Sequence, residues 1–174
     1  MPNKATRLLF NKPTIQYLID NLKNSEKADD IVLCTTQLES DDVLCAIAEK
    51  SGIKCFRGSS EDKLARWLGA CEEFGIDFFV NADGDDLFFD CALADHVIEQ
   101  WTVSRPDFLD GHGLYYDVYG ITKEALKKVC EIKGTDETEY IRPYFTDTGH
   151  FEVHRLKVPQ KYKKVHSSCD QWVK

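Results

Sequence analysis

Apolar and polar positions follow two different periods along the first part of the chain. Segments with an apolar residue every three or four positions predict helices, and short continuous apolar runs predict buried strands. The predicted helices are 13–23, 41–51, 62–74 and 91–101, and the predicted strands are 31–36, 54–57 and 76–82. Alternation of helix and strand with short connections is typical of a sheet that is covered by helices.

The second part of the sequence predicts shorter elements. They are a strand over 114–121, a helix over 122–129, a short helix over 138–144 that Pro143 breaks, a strand over 151–156 and a last strand over 165–170. The sequence has no repeat, linker or low-complexity stretch. We therefore expect residues 1–174 to form one domain.

Composition narrows the class of protein. The chain has 174 residues, of which 43% are hydrophobic, and this is enough for a packed core. Its net charge of −8 argues against a broad nucleic-acid surface. The seven cysteines form no C-x-x-C pair and favour neither a disulfide framework nor a zinc site. Without a signal-type or membrane-length apolar run, we expect a cytoplasmic protein with no membrane partner.

A run of carboxylates follows the strand predicted over 76–82. Asp83-Gly84-Asp85-Asp86 places three carboxylates at the carboxyl end of a buried strand, where open α/β sheets bind their ligands. Such close like charges raise one another's pKa unless a cation, a donor or water offsets them. Oxygen ligands of this kind suit a divalent cation that is held against phosphates. The alternative is a solvated turn, because Asp-Gly is a common turn sequence.

Several segments stand in a collinear order that extends along nearly the whole chain. They are Pro2-Asn3-Lys4, Asn11-Lys12-Pro13, Phe56 to Trp67, Gly84-Asp85 with the following Asp90, Gly113 to Tyr119, Thr138 to Tyr144 and Val165 to Asp170. Together they resemble the cytidylyltransferases that activate sugars. The group with similar motifs contains spore coat polysaccharide biosynthesis proteins and the 3-deoxy-manno-octulosonate and acylneuraminate cytidylyltransferases.

This resemblance implies a fold, a reaction and a set of site residues. The implied fold is a three-layer α/β/α, GT-A-like (Rossmann-like) nucleotidyltransferase with a mostly parallel sheet. The implied reaction uses Mg²⁺ and transfers CMP from CTP to a sugar or sugar acid, with release of pyrophosphate, in cell-surface polysaccharide biosynthesis. By position, Lys4 and Asp85 are the implied catalytic residues, Asp85 and Asp170 the metal ligands, and Arg57, Gly58, Ser59, Asp62, Lys63 and Asp117 the substrate-binding residues.

The family pattern has a strand ahead of its Pro-x-Lys motif, and this sequence starts at that motif. Because that strand is central in the family's sheet and carries part of the phosphate cradle, we expect a polar edge or an apolar gap in the core. Three interpretations stay open. They are an active cytidylyltransferase, a catalytically inactive nucleotide-binding or scaffolding module, and a fragment that pairs with another chain, a homodimer included.

Overall fold

The computed structural model describes residues 4–114 and 117–159 as alternating helices and strands. The helices are α1 (Thr14–Leu22), α2 (Asp42–Ser51), α3 (Lys63–Phe74), α4 (Cys91–Ser104), α5 (Lys123–Ile132) and α6 (Arg142–Thr146). The strands are β1 (Leu8–Leu9), β2 (Lys12–Pro13), β3 (Val32–Thr36), β4 (Lys54–Gly58), β5 (Phe78–Val80), β6 (Phe108–Asp110), β7 (Tyr119–Thr122) and β8 (Val153–Arg155). The predicted α/β class is confirmed.

The strands form mixed sheets. β1 and β2 make a small antiparallel hairpin, and β3 pairs with β4 in parallel. The other four strands form one sheet in the order β5-β7-β6-β8. In it, β7 is antiparallel to both of its neighbours because the chain returns from β6 through a short turn, whereas β8 is parallel to β6. The parallel pair of β6 and β8 therefore shares a sheet with antiparallel strands, whereas β3 and β4 form a separate parallel pair.

Within the described part of the strand predicted over 114–121, β7 begins at Tyr119, and the Asp117 carboxylate instead accepts a hydrogen bond from the Gly113 amide at 3.2 Å. Pro143 does not break a helix. It lies in the first turn of α6, where the N–H it lacks would have no helical partner. The strand predicted over 165–170 lies outside the described residues.

Two hydrophobic clusters cover the strands. The first contains residues of α1 and α4, namely Ile15, Leu18, Ile19, Leu93 and Val97. The second contains residues of α3, α5 and α6, namely Leu64, Trp67, Leu126, Val129 and Phe145. The helices of the two clusters sandwich the strands, which gives the three-layer arrangement that the sequence predicts. In the described ranges, no helix combines the length and the apolar character needed to cross a membrane.

A buried charge network around Asp62 fixes the start of α3. The Asp62 carboxylate accepts hydrogen bonds from the Ala65 amide at 3.0 Å and the Thr138 hydroxyl at 2.9 Å, and it pairs with the Lys133 ammonium at 2.6 Å. The Asp62 and Lys133 side chains are only 7% and 6% exposed. Burial opposes the charged carboxylate, but these donors outweigh it and lower the pKa of Asp62. The network joins the start of α3 to the end of α5.

Replacing Asp62 tests this network. Asp62→Asn keeps a capping side chain but leaves the buried Lys133 with only Asp136, 2.8 Å away, as a charged partner. We expect the free energy of unfolding to fall by about 3 kcal/mol, because half of a buried ion pair then stays uncompensated. Urea denaturation measures the change. The matched variant Asp136→Asn removes an 89% exposed carboxylate and should cost less than about 0.5 kcal/mol. Equal losses in the two variants would contradict the network.

Gly111 lies at the turn that leaves β6. A β-carbon at this position would be 2.3 Å from the Val118 carbonyl oxygen, whereas a β-carbon at Gly134 would meet no atom within 4 Å. We therefore expect Gly111→Ala to lower the free energy of unfolding by about 1–3 kcal/mol through overpacking. Gly134→Ala should leave it nearly unchanged, as measured by urea denaturation. A Gly111→Ala protein as stable as the parent would be evidence against this close backbone approach.

Candidate functional site

The acidic segment predicted from the sequence forms a tight loop directly after β5. The Asp86 amide donates to the Asp83 carbonyl oxygen at 2.9 Å, and the Phe89 amide donates to the Asp86 carbonyl oxygen at 3.0 Å. The fully buried Phe89 anchors the end of the loop in the core. The three carboxylates are therefore held together on a short, internally bonded segment, in which Asp85 is exposed and Asp83 and Asp86 are partly buried.

Two lysines from distant parts of the chain reach this loop. The Lys4 Nζ lies 3.1 Å from an Asp85 carboxylate oxygen, and both side chains are 52% exposed. The Lys63 Nζ lies 2.8 Å from an Asp83 carboxylate oxygen and above the Trp67 ring, 4.9 Å from its centroid. Lys63 stands at the first position of α3, so the start of that helix delivers it to the loop. The structure thus brings three predicted site residues, Lys4, Lys63 and Asp85, to one edge.

The third carboxylate of the loop carries uncompensated negative charge. Partial burial raises the pKa of Asp86 to about 6, and the charges of Asp83, Asp85 and Asp117 act in the same direction. Lys63 opposes this shift without cancelling it. The loop and Asp117 together therefore hold more negative charge than the nearby lysines neutralise, and a bound cation would offset it.

The turn between β6 and β7 forms the second arm of the site. Its Asp117 carboxylate lies 3.2 Å from His112 Nδ1 and accepts a hydrogen bond from the Gly113 amide. A buried carboxylate at the start of the same turn, Asp110, accepts a hydrogen bond from the His112 amide at 3.0 Å. These contacts fix the turn so that Asp117 lies within electrostatic range of Asp86.

Asp110 is also paired with two guanidinium groups. Nε and Nη2 of Arg142 donate to its two carboxylate oxygens at 3.1 and 3.0 Å, and Nη1 of Arg155 donates at 3.0 Å. Although burial opposes ionisation, these contacts lower the pKa of Asp110. Two guanidinium groups therefore share the one Asp110 carboxylate at the start of this turn.

One buried amide side chain joins the two arms. Asn81, at the end of β5, is 5% exposed. Its Oδ1 accepts a hydrogen bond from the main-chain N–H of Tyr119 at 2.6 Å, and the main-chain N–H of Asn81 donates to the Tyr119 carbonyl oxygen at 3.1 Å. Since the acidic loop follows Asn81 and Asp117 precedes Tyr119, this pair sets the two arms side by side.

Both arms border a large cavity. Its lining includes Lys63, Asp83, Asp85, His112, Asp117 and Arg142, and its volume is about 1,400 Å³. The cavity continues from this polar edge between β3 and β5 towards apolar residues of α1, α3 and α4. A ligand with a charged end and a larger body would therefore find room next to the acidic loop.

Four other predicted site residues lie away from this cavity lining. Arg57 uses its guanidinium on the Thr36 and Leu38 carbonyl oxygens, at 3.0 and 2.8 Å, and on Asp42 at 2.6 Å. Those contacts tie β4 to the segment after β3. The remaining three, Gly58, Ser59 and Asp62, form the turn that starts α3: a β-carbon at Gly58 would lie 2.9 Å from an Arg66 side-chain atom, and the Ser59 hydroxyl accepts from the Asp62 amide at 3.0 Å. This turn places Lys63.

The residues that support the second arm are not apparent from the sequence. No motif in the sequence connects these residues, which are Asp110, His112, Arg142 and Arg155. They come from separate parts of the chain that meet only in the fold. The run Asp110-Gly111-His112-Gly113 after the apolar Phe108-Leu109 is the one signal that could have indicated a polar strand end.

Few side chains of the described residues are placed to bind a metal ion. Within residues 4–114 and 117–159, no three His, Cys, Asp or Glu side chains are placed to hold a metal ion together. The predicted second ligand, Asp170, lies outside the described residues. Asp85 is exposed, and a cation that displaced Lys4 could reach it. One or two carboxylates together with substrate phosphates is the usual ligation of Mg²⁺.

Comparisons with known proteins agree with this arrangement. Residues 1–166 match the sequence profile of the family described as Cytidylyltransferase. Spore coat polysaccharide biosynthesis protein SpsF of Bacillus subtilis is 30% identical over 103 residues, which cover 57% of this chain and 43% of that protein. The chain therefore spans less than half of the length of that relative.

Two solved structures share the fold. A cytidylyltransferase from Leptospira borgpetersenii superposes with a TM-score of 0.83 at 24% identity and covers 94% of this chain and 72% of its own. CMP:2-keto-3-deoxy-manno-octonic acid synthetase, solved with CTP, superposes with a TM-score of 0.70 at 9% identity, over 91% of this chain and 85% of its own. Since the family profile extends over nearly the whole sequence and the fold is the one these structures have, the chain belongs to the cytidylyltransferase family.

Proposed function

We propose that this chain binds CTP at the edge formed by the acidic loop and transfers CMP to a sugar or sugar acid, with release of pyrophosphate, in cell-surface polysaccharide biosynthesis. The observation that carries the proposal is the loop of Asp83, Asp85 and Asp86 at the mouth of a large cavity, with Lys4 and Lys63 in contact with it. Support also comes from the family, from the polysaccharide role named for the Bacillus subtilis relative and from the CTP complex of the synthetase with the same fold.

Magnesium fits the donor set at this edge. We propose that Asp85 is a ligand, because it is exposed and its lysine partner is exchangeable, and that Asp170 is the second ligand. Bound there, Mg²⁺ would neutralise charge on the triphosphate oxygens. The raised pKa of Asp86 supports this assignment, since the carboxylates of the loop lack sufficient positive partners.

The cations and the second arm have separate roles in this proposal. Lys4 and Lys63 would turn from the carboxylates to the phosphates, where they offset the charge of the leaving pyrophosphate. The acceptor hydroxyl would attack the α-phosphorus as the bond to the pyrophosphate breaks. Asp117, held by His112 and the Gly113 amide, would accept a hydrogen bond from a substrate hydroxyl. Arg142, which lines the cavity, would pair with the carboxylate of a sugar-acid acceptor.

Asp85→Asn tests the metal and catalytic roles. With CTP, Mg²⁺ and candidate sugar acids such as 3-deoxy-manno-octulosonate, we expect the parent protein to release pyrophosphate and this variant to release it at least about 100-fold more slowly, because the amide lacks the charge that holds the cation. A coupled pyrophosphate assay measures the rate. The matched control is Asp77→Asn, which removes a similar ion pair, 3.2 Å from Lys123, at the opposite end of β5.

Three results would count against parts of this proposal. Unchanged pyrophosphate release in Asp85→Asn would remove the metal assignment. CTP binding by calorimetry without release for any acceptor would overturn the transfer reaction and favour the nucleotide-binding module. Absence of CTP binding would overturn the nucleotide site.

Asp86→Asn tests the charge excess of the loop. The folded-state pKa of about 6 lies above the ordinary value of 3.8, so the stability that Asp86 contributes is present below pH 3.8 and is lost as the pH rises through 6. In buffer with EDTA, we therefore expect Asp86→Asn to have a higher Tm than the parent at pH 7 and a similar Tm at pH 4. Thermal denaturation at both pH values measures this, with Asp136→Asn as the exposed control. A variant that is less stable at pH 7 would contradict the charge excess.

A further inference from the structure

Two cysteines from different elements meet between α2 and β4. Cys45 lies in α2, and Cys55 lies near the start of β4. Their sulfur atoms are 3.2 Å apart, and both residues are free thiols that are only partly buried. We call Cys45 and Cys55 the thiol pair. Because neither thiol is fully buried, a small oxidant can reach the pair.

The two sulfurs are already close to bonding distance. A disulfide has an S–S length of about 2.05 Å, so bond formation requires an approach of about 1 Å from the separation in this structure. The helix and the strand that carry the two thiols pack on each other. Rotation about the side-chain bonds of two partly buried residues can supply a movement of this size.

An ion pair bridges the same two elements beside the thiol pair. Nη1 of Arg57, two residues after Cys55, lies 2.6 Å from a carboxylate oxygen of Asp42, three residues before Cys45. Residues two apart in a strand share a face, and residues three apart on a helix are neighbours. The thiol pair therefore lies next to the Arg57–Asp42 pair, and the charge of Arg57 acts on Cys55.

The nearby Cys34 does not compete for the pair. In the register of β3 and β4, Leu33 is the partner of Cys55, and Cys34 is the partner of Phe56. Since register partners share a face of the sheet, Cys34 lies on the face opposite to Cys55. It packs there against the second hydrophobic cluster, and burial raises the pKa of its thiol to about 11.

The thiol of Cys55 stays protonated near neutral pH. Burial raises the pKa of Cys55 to about 12, and its hydrogen bond to Cys45 acts in the same direction, whereas Arg57 acts against them. The thiolate is the form of cysteine that attacks an oxidant. Cys45 is therefore the thiol of the pair that reacts first.

We propose that the thiol pair is an oxidation site, at which hydrogen peroxide forms a reversible disulfide between Cys45 and Cys55. The Cys45 sulfur attacks one peroxide oxygen, the O–O bond breaks, and a sulfenic acid and one water form. The Cys55 sulfur then attacks the Cys45 sulfur, the S–O bond breaks, and the hydroxide leaves as water with the Cys55 proton. The two thiols lose two electrons, and the peroxide is reduced to two waters.

The disulfide fastens α2 to β4 beside Arg57. It closes a short loop, since the two cysteines are ten residues apart. The strand β4 leads into the turn that places Lys63, so oxidation restrains one side of the candidate site without using a residue of the acidic loop. A dithiol reverses the bond by thiol–disulfide exchange. The inference does not depend on the proposed function.

Peptide mapping tests the thiol pair in the nucleotide-free protein, so its result is separate from that of the CTP experiments. The reduced protein is treated with one equivalent of hydrogen peroxide and digested with trypsin and Glu-C without reductant. Cleavage after Glu39 separates Cys34 from Cys45, so the proposed disulfide joins the peptides 40–49 and 55–57. We expect this cross-link, a loss of two thiols per chain, and the recovery of both thiols with dithiothreitol.

Single substitutions provide the controls. Cys45→Ser should abolish the cross-link and slow thiol loss at least tenfold. Cys55→Ser should leave a sulfenic acid on Cys45, which dimedone labels. Cys91→Ser removes a cysteine at the start of α4 and should form the cross-link like the parent. A cross-link to Cys34, a disulfide between two chains, unchanged thiol content in the parent or no dimedone adduct on Cys45 would overturn the proposal.

Thermal denaturation measures what the bond does to the fold. Closing this loop restrains the unfolded chain, so we expect the oxidised parent to have a Tm at least about 5 °C above that of the reduced parent. Cys45→Ser should show no such difference. Hydrogen exchange should slow in α2 and β4 and stay unchanged in β6. An oxidised parent with an unchanged or lower Tm would contradict a disulfide that fastens α2 to β4.

Discussion

The hydrogen bonds between Asn81 and Tyr119 are the constraint on which the candidate site depends. They close the end of the β5–β7 pair on both the side-chain and the main-chain atoms of Asn81. The acidic loop begins directly after one partner, and the turn with Asp117 ends directly before the other. Because the amide is buried, an unpaired partner would be costly, and the two arms are therefore held at a fixed separation. A loop of carboxylates alone would have no such fixed neighbour.

Carboxylates have opposite roles in different parts of this fold. Asp62 and Asp110 are buried, but each has cationic and neutral donors, and the pKa of each is lowered. Asp86 is less buried and has like charges around it, so its pKa is raised. The paired acids hold α3 and the β6–β7 turn in place. The acid with too few partners marks the part of the surface where a cation would be stabilised.

The discontinuity between β3 and β5 affects the stability of the whole domain. The two sheets are held together by the helices that pack on both, since the described strands β3 and β5 share no hydrogen bonds. The acidic loop follows directly from one of these strands.

The sequence by itself determined the main helices and strands of the first part of the chain and the position of the acidic loop. Helical spacing in α1, α2, α3 and α4 and the apolar runs of β3, β4 and β5 depend on neighbours in the chain, and those were predicted correctly. It also placed Asp85 at the end of a strand. The tertiary structure decided which charges serve packing and which remain for a ligand: Asp62 met Lys133, Arg57 turned to Asp42, and Asp110 met two arginines. Such pairs depend on distances between remote segments, for which local periodicity carries no information.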